Sequence, residues 1–123
     1  MADATVMVVE DDALIREIVV QILAAEGFTS IVARNGAEAL HRLRDGRVHP
    51  ALILLDLMMP VMNGWEFRAE QLKDPALAGI PVVVMSASGG DDVPAEAHVG
   101  KPFEIDVLLD TVSRFAPPSS MLH

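Results

Sequence analysis

Glu10, Asp11, Asp56, Ser86 and Lys101 are the residues of this chain whose types could do chemistry together. Asp56 ends the apolar run Ala51-Leu-Ile-Leu-Leu-Asp56, and Glu10-Asp11-Asp12 follows Thr5-Val-Met-Val-Val9 in the same way. Ser86 ends Val82-Val-Val-Met85, and Lys101 follows His98-Val-Gly100. Carboxylates held within a few ångströms raise each other's pKa, because both cannot ionise cheaply. A divalent cation resolves that conflict. Mg²⁺ suits such a set, since it takes hard oxygen ligands from one or two carboxylates together with phosphate and water. Lys101 adds a fixed positive charge and Ser86 a hydroxyl donor. This combination fits a phosphoryl group, with Asp56 as nucleophile forming an aspartyl phosphate.

The elements around these residues have to bring them to one place. Five apolar residues before Asp56 are too few for a membrane span and lack a polar face, so they read as a strand buried on both sides. Thr5–Val9, Phe28–Val32, Val82–Met85 and a short His98–Gly100 read as its companions. Leu14, Ile15, Ile18, Val19, Ile22 and Leu23 repeat at helical spacing, and Gly27 is the expected stop. Asn35-Gly-Ala-Glu38 fits a capping box opening a helix that runs to Asp45-Gly46. Asn63-Gly64 makes a turn into a third helix with Trp65 and Phe67, which Asp74-Pro75 ends. Ile105, Leu108, Leu109 and Val112 mark a final helix, closed by Pro117-Pro118. Strands alternating with helices imply a parallel sheet with right-handed crossovers and helices on both faces. The strand ends that carry the reactive residues then share one edge, where open α/β sheets bind ligands.

At 123 residues the expectation is one domain over 1–118 and a flexible tail over 119–123. No apolar run approaches a membrane helix, the first residues lack the pattern of a signal peptide, and there is no cysteine. A cytoplasmic location follows as an expectation. The net charge of -9 argues against direct nucleic-acid binding and favours a protein partner or a cation. Each residue also has a plainer reading. Glu10-Asp11-Asp12 alone would be an N-cap run, Ser86 a turn former, and Asp91-Asp92 solvated. Met58, Met59 and Met62 read as loop packing, and Trp65 as a partly buried helix anchor.

Taken in order, Val8-Val-Glu-Asp-Asp12, Asp56-Leu-Met-Met-Pro-Val-Met-Asn-Gly64, Pro81-Val-Val-Val-Met-Ser-Ala87 and Lys101-Pro-Phe103 resemble the receiver domains of bacterial two-component response regulators, of the chemotaxis-regulator type. The resemblance covers nearly the whole chain. It implies a flavodoxin-like, doubly wound sheet of five parallel strands in the order 2-1-3-4-5. By similarity, Asp56 is the phosphoacceptor, served by a histidine kinase or a histidine phosphotransfer protein. Glu10 and Asp11 would hold Mg²⁺ with Asp56 and the backbone carbonyl of Met58. Lys101 would pair with the phosphoryl oxygens and precede a cis bond to Pro102, and Ser86 would rotate toward the phosphoryl group. The role implied is that of a signalling phosphoacceptor, promoting only its own phosphorylation and dephosphorylation, and passing the signal to a downstream protein.

The sequence departs from this family in two places. His98 stands where an aromatic switch residue is usual. The segment between Ser86 and Lys101 is shorter than the family's and reads Ser88-Gly-Gly-Asp-Asp-Val-Pro94, so helix 4 is expected to be reduced or missing. Loop residues or another molecule must then shield Val82 and Val84, and a homodimer through that face is one expectation. Two other readings stay open. One is an interaction module that works without phosphorylation. The other is a Mg²⁺-dependent phosphohydrolase, against which stands Met58 where a second acid would be needed.

Overall fold

A computed structural model describes residues 4–87, 90 and 92–116. The elements run β1 (Thr5–Val9), α1 (Ala13–Ala25), β2 (Thr29–Ala33), α2 (Gly36–Arg44), β3 (Leu52–Asp56), α3 (Gly64–Lys73), β4 (Val82–Ser86), β5 (Ala97–Gly100) and α4 (Ile105–Phe115). The five strands form one sheet in the order β2-β1-β3-β4-β5, and each pairing is parallel. This is the flavodoxin-like order that the resemblance implied. No helix among the described residues is long and apolar enough to cross a membrane. Pro117-Pro118 and the tail over 119–123 lie outside the described residues.

Side-chain alternation sorts the strands onto two faces. Val6, Val8, Leu52, Leu54, Val83 and Met85 pack with Val19 and Leu23 of α1 and Leu108 and Val112 of α4. Met7, Val9, Ile53, Leu55, Val82 and Val84 pack on the other face with Leu40 and Leu43 of α2 and Phe67 of α3. Each such side chain contributes about 1.5–3 kcal/mol by leaving water. The second strand starts at Thr29, one residue later than expected. Phe28 belongs instead to the end of α1, where its N–H bonds the Leu23 carbonyl at 3.0 Å and its ring is buried.

The capping pattern also shifts. Asn35 caps α2 by accepting from the Glu38 N–H at 2.9 Å, but Glu38 reaches past the cap to the N–H of Arg34. The complete capping box lies at α3. There the Asn63 side chain accepts from the Glu66 N–H at 2.9 Å, and Glu66 accepts from the Asn63 N–H at 3.0 Å. The same Asn-x-x-Glu spacing stands in the sequence at Asn63 and Glu66.

Among the described residues no helix joins β4 to β5, and chain length explains why. Residues 87–96 are all that separate the two parallel strands. Retracing a five-residue strand takes about 16 Å, and a ten-residue helix rises about 15 Å. Nothing would remain for the turns. The stretch 92–96 instead lies against the sheet, with Val93 buried and Ala95 packed on the cluster that holds Val82 and Val84, both fully buried. α3 holds it there. The buried Arg68 donates from Nε to the Pro94 carbonyl at 2.7 Å and from Nη1 to Gln71 Oε1 at 2.8 Å. Glu96 accepts from the Val82 N–H at 2.7 Å, and the Trp65 indole N–H reaches Asp92 at 3.3 Å. Asp92 is thus bonded as well as solvated, and Asp91 lies outside the described residues.

The loop from β3 to α3 is tight. Val61 has φ 68, and the Met62 N–H bonds the Pro60 carbonyl at 2.8 Å, which is a γ-turn of the strained hand. Gly64 opens α3 against the strand end, where an added Cβ would stand 2.6 Å from the Asp56 carbonyl oxygen and 2.8 Å from Leu57 Cα. Those are backbone atoms and cannot step aside. Gly64→Ala should therefore cost about 1–3 kcal/mol, read as a lower denaturation midpoint. Val61→Gly is the opposite case. Val61 is 83% exposed, so little packing is lost, and releasing its left-handed backbone should raise stability by about 0.5–1 kcal/mol.

Candidate functional site

The carboxyl ends of β1, β3, β4 and β5 meet where the topology requires. Oxygens of Glu10, Asp11 and Asp56 lie within 4.8 Å of one another. Glu10 and Asp56 are buried, whereas Asp11 is exposed. Asp12, next in the chain, takes no part in this set. Its side chain caps α1 by accepting from the N–H groups of Leu14 at 2.9 Å and Ile15 at 3.2 Å. The plainer reading of the acidic triplet therefore holds for its third member alone.

Lys101 reaches across the sheet from the end of β5. Its Nζ donates to Glu10 Oε1 at 2.6 Å and to Asp56 Oδ1 at 3.2 Å. The backbone places it there, because the Lys101 N–H continues the β4–β5 ladder onto the Ser86 carbonyl at 2.8 Å. The Lys101–Pro102 bond is cis. Ser86 is partly buried at the end of β4, and a Cβ on Gly90 would lie 3.6 Å from its Oγ. Gly90 has φ 84 and presses on Leu57, the residue after Asp56.

The charges explain the electrostatics. Burial pushes Glu10 up to about 7, the neighbouring Asp56 adds to the rise, and the bond from Lys101 only partly offsets it. Burial also disfavours the Lys101 ammonium, but Glu10 and Asp56 together outweigh it and hold its pKa above the ordinary value. One cation thus faces two buried carboxylates, with Asp11 at their rim. The uncompensated negative charge and the all-oxygen donor set fit a hard divalent cation such as Mg²⁺.

The remaining expected residues are placed differently. Met58 lies on the β3–α3 loop with its side chain 71% exposed, so it does not pack, whereas Met59 and Met62 do. His98 is exposed on β5, and its Nε2 lies 3.1 Å from the Val93 carbonyl, on the short β4–β5 segment. Trp65 is half-buried against the core, as an anchor should be. Arg16 was missed by the sequence reading. It extends back from α1 so that Nη1 donates to the Glu10 carbonyl at 2.9 Å, fixing the backbone of a site residue. Its signal would have been a long cation six positions after Glu10, too common a spacing to single out.

Comparison with known proteins agrees with this geometry. The profile of the response regulator receiver domain matches residues 6–113. The polar-differentiation response regulator DivK of Brucella anthropi is 32% identical over 118 residues, covering 90% of this chain and 94% of DivK. Other curated relatives are longer, and the chain spans about half their length (50%). Among solved structures, the receiver domain of a signal transduction histidine kinase from Syntrophus aciditrophicus superposes with a TM-score of 0.84 at 28% identity, covering 92% of this chain and 89% of that one. The receiver domain of a Pseudomonas aeruginosa sensor histidine kinase, solved with a magnesium ion coordinated in its active site cleft, gives 0.85 at 20% identity over 94% and 98% of the two chains, a likeness of fold alone. With this match over most of its length, the chain belongs to the response regulator receiver domains.

Proposed function

We propose that residues 1–118 form a phosphoacceptor domain in which Asp56 takes a phosphoryl group from a histidine kinase or a histidine phosphotransfer protein. The observation that carries this reading is Lys101 Nζ lying between Glu10 Oε1 at 2.6 Å and Asp56 Oδ1 at 3.2 Å, within the acidic set. A carboxylate oxygen of Asp56 attacks the phosphorus of a phosphohistidine. The P–N bond breaks, its electron pair returns to the imidazole nitrogen, and an acyl phosphate forms on Asp56. The Lys101 ammonium is within reach of the charge that gathers on the phosphoryl oxygens, and Ser86 offers a hydroxyl from the neighbouring strand end. Mg²⁺, held by Glu10, Asp11, Asp56 and the Met58 carbonyl, would supply further positive charge against those oxygens. Hydrolysis reverses the state. Water attacks the phosphorus, the bond to Asp56 breaks, and inorganic phosphate leaves.

The output is a change of contact with a downstream protein, made in the cytoplasm, rather than turnover of a substrate. Ser86 and His98 would carry the switch. The first closes on the phosphoryl group, and the second bears on Val93 in the segment that replaces a helix. Val82 and Val84 are fully buried, so a homodimer through that face would rest on the residues that cover them.

Intact mass after incubation with acetyl phosphate and Mg²⁺ tests the acceptor. One added phosphoryl group is expected, absent from Asp56→Asn and absent without Mg²⁺. An adduct that persists in Asp56→Asn would place the acceptor elsewhere. Glu10 predicts a pH signature in metal-free protein. Its folded pKa near 7 stands above the ordinary value of 4.5, so the folded state holds this proton more tightly than the unfolded chain does. The resulting stabilisation is complete below 4.5 and is lost as pH rises through 7. Urea midpoints in EDTA should fall over that window, and Glu10→Gln should flatten this part of the slope.

A further inference from the structure

The chain is acidic overall, yet one groove on it is basic. The groove has a volume of about 600 Å³ and is lined by Arg16, Arg34, Arg42 and Arg47. These are four of the nine Lys and Arg residues, whereas only two of the eighteen acidic residues, Glu38 and Asp45, join them. Arg34 pairs with Glu38 at 3.1 Å and Arg47 with Asp45 at 3.3 Å. Arg16 meets a neutral carbonyl, and Arg42 makes no ion pair with a carboxylate among the described residues. Among the described residues, these two guanidinium groups are left without a balancing charge.

The groove follows the open edge of the sheet. β2 is one of the two edge strands, and Val32 lines the groove together with Val48. The Thr29 N–H bonds Ala4 at 3.1 Å and the Ala33 carbonyl accepts from Glu10 at 3.0 Å, so alternate residues Thr29, Ile31 and Ala33 face β1. Ser30 and Val32 then direct their backbone N–H and C=O groups outward. Such an edge is a template for another strand. The arginines converge on it from α1, from α2 and from the loops after β2 and α2.

We propose that this groove docks an extended acidic segment of a partner protein, which pairs with β2 as a sixth strand. Main-chain bonds to Ser30 and Val32 would fix its register, and the arginines would select its charge. A second copy of this chain fits poorly, because joining two β2 edges sets guanidinium groups against each other. A long polyanion fits poorly too, since the remaining surface carries nearly all of the negative charge. The site is separate from Asp56 and does not depend on phosphoryl transfer.

The test uses the full chain and a labelled peptide of alternating Glu and Val, with a Lys-Val peptide as control. Anisotropy should show binding of the acidic peptide only, weakened about tenfold or more by Arg42→Glu with Arg47→Glu. Arg42→Gln with Arg47→Gln should weaken it in the same direction, and unchanged circular dichroism and urea midpoints would show that both variants fold. Hydrogen exchange should slow at the Ser30 and Val32 amides when the peptide binds. Failure of the acidic peptide to bind, indifference to both double substitutions, or binding without slowing at those amides would each overturn the proposal. So would dimerisation through β2, or a site that inorganic pyrophosphate occupies while the peptide does not.

Discussion

Two carboxylates taken out of water share a single ammonium, and much of this molecule is arranged to keep them so. Glu10 and Asp56 come from the ends of neighbouring strands, and Lys101 lies 91 residues beyond Glu10 in the chain. Only the parallel order β1-β3-β4-β5 delivers all three to one edge. The ammonium is not enough to neutralise the pair, and Asp11 adds a third acid at the rim. The site therefore has a built-in demand for further positive charge, which a hard cation meets and a hydrophobic ligand cannot.

Rigid neighbours hold that arrangement in place. Gly64 lets α3 begin directly on the backbone of Asp56, with no side chain between the helix and the strand end. The γ-turn at Val61 turns the chain within a few residues of the same strand end, at the expense of backbone strain. Arg16 ties the Glu10 carbonyl to α1. Strained or closely packed backbone thus surrounds the candidate acceptor, while the side chains that face solvent there, Asp11 and Met58, stay free to meet an incoming group.

Most of this was legible in the sequence, for a physical reason. Strands buried on both faces leave continuous apolar runs, and such runs end sharply where polar residues begin, so Glu10, Asp56 and Ser86 announce themselves. The alternation of strands with helices then determines that these ends share an edge. The missing helix was legible from length, since too few residues lie between Ser86 and Lys101 to build one. What covers the sheet there was not. Arg68, Gln71 and Glu96 look like ordinary surface residues of a helix and a loop, and only the folded path of the chain shows Arg68 and Gln71 buried. The basic groove was hidden likewise, because its arginines are dispersed from residue 16 to residue 47, and only Arg42 and Arg47 come from one short stretch of the chain.

The segment that replaces a helix carries a cost in evolutionary freedom. A helix satisfies its own backbone groups, so its surface positions can change almost independently. The β4–β5 segment borrows partners instead, with the Pro94 carbonyl depending on Arg68 and Gln71 spanning from Arg68 to the carbonyls of Leu77 and Ile80. Replacing any one of these residues strands a buried partner, so tolerated changes must come in sets. Descendants of this chain are expected to vary Arg68, Gln71 and Glu96 together or to keep all three.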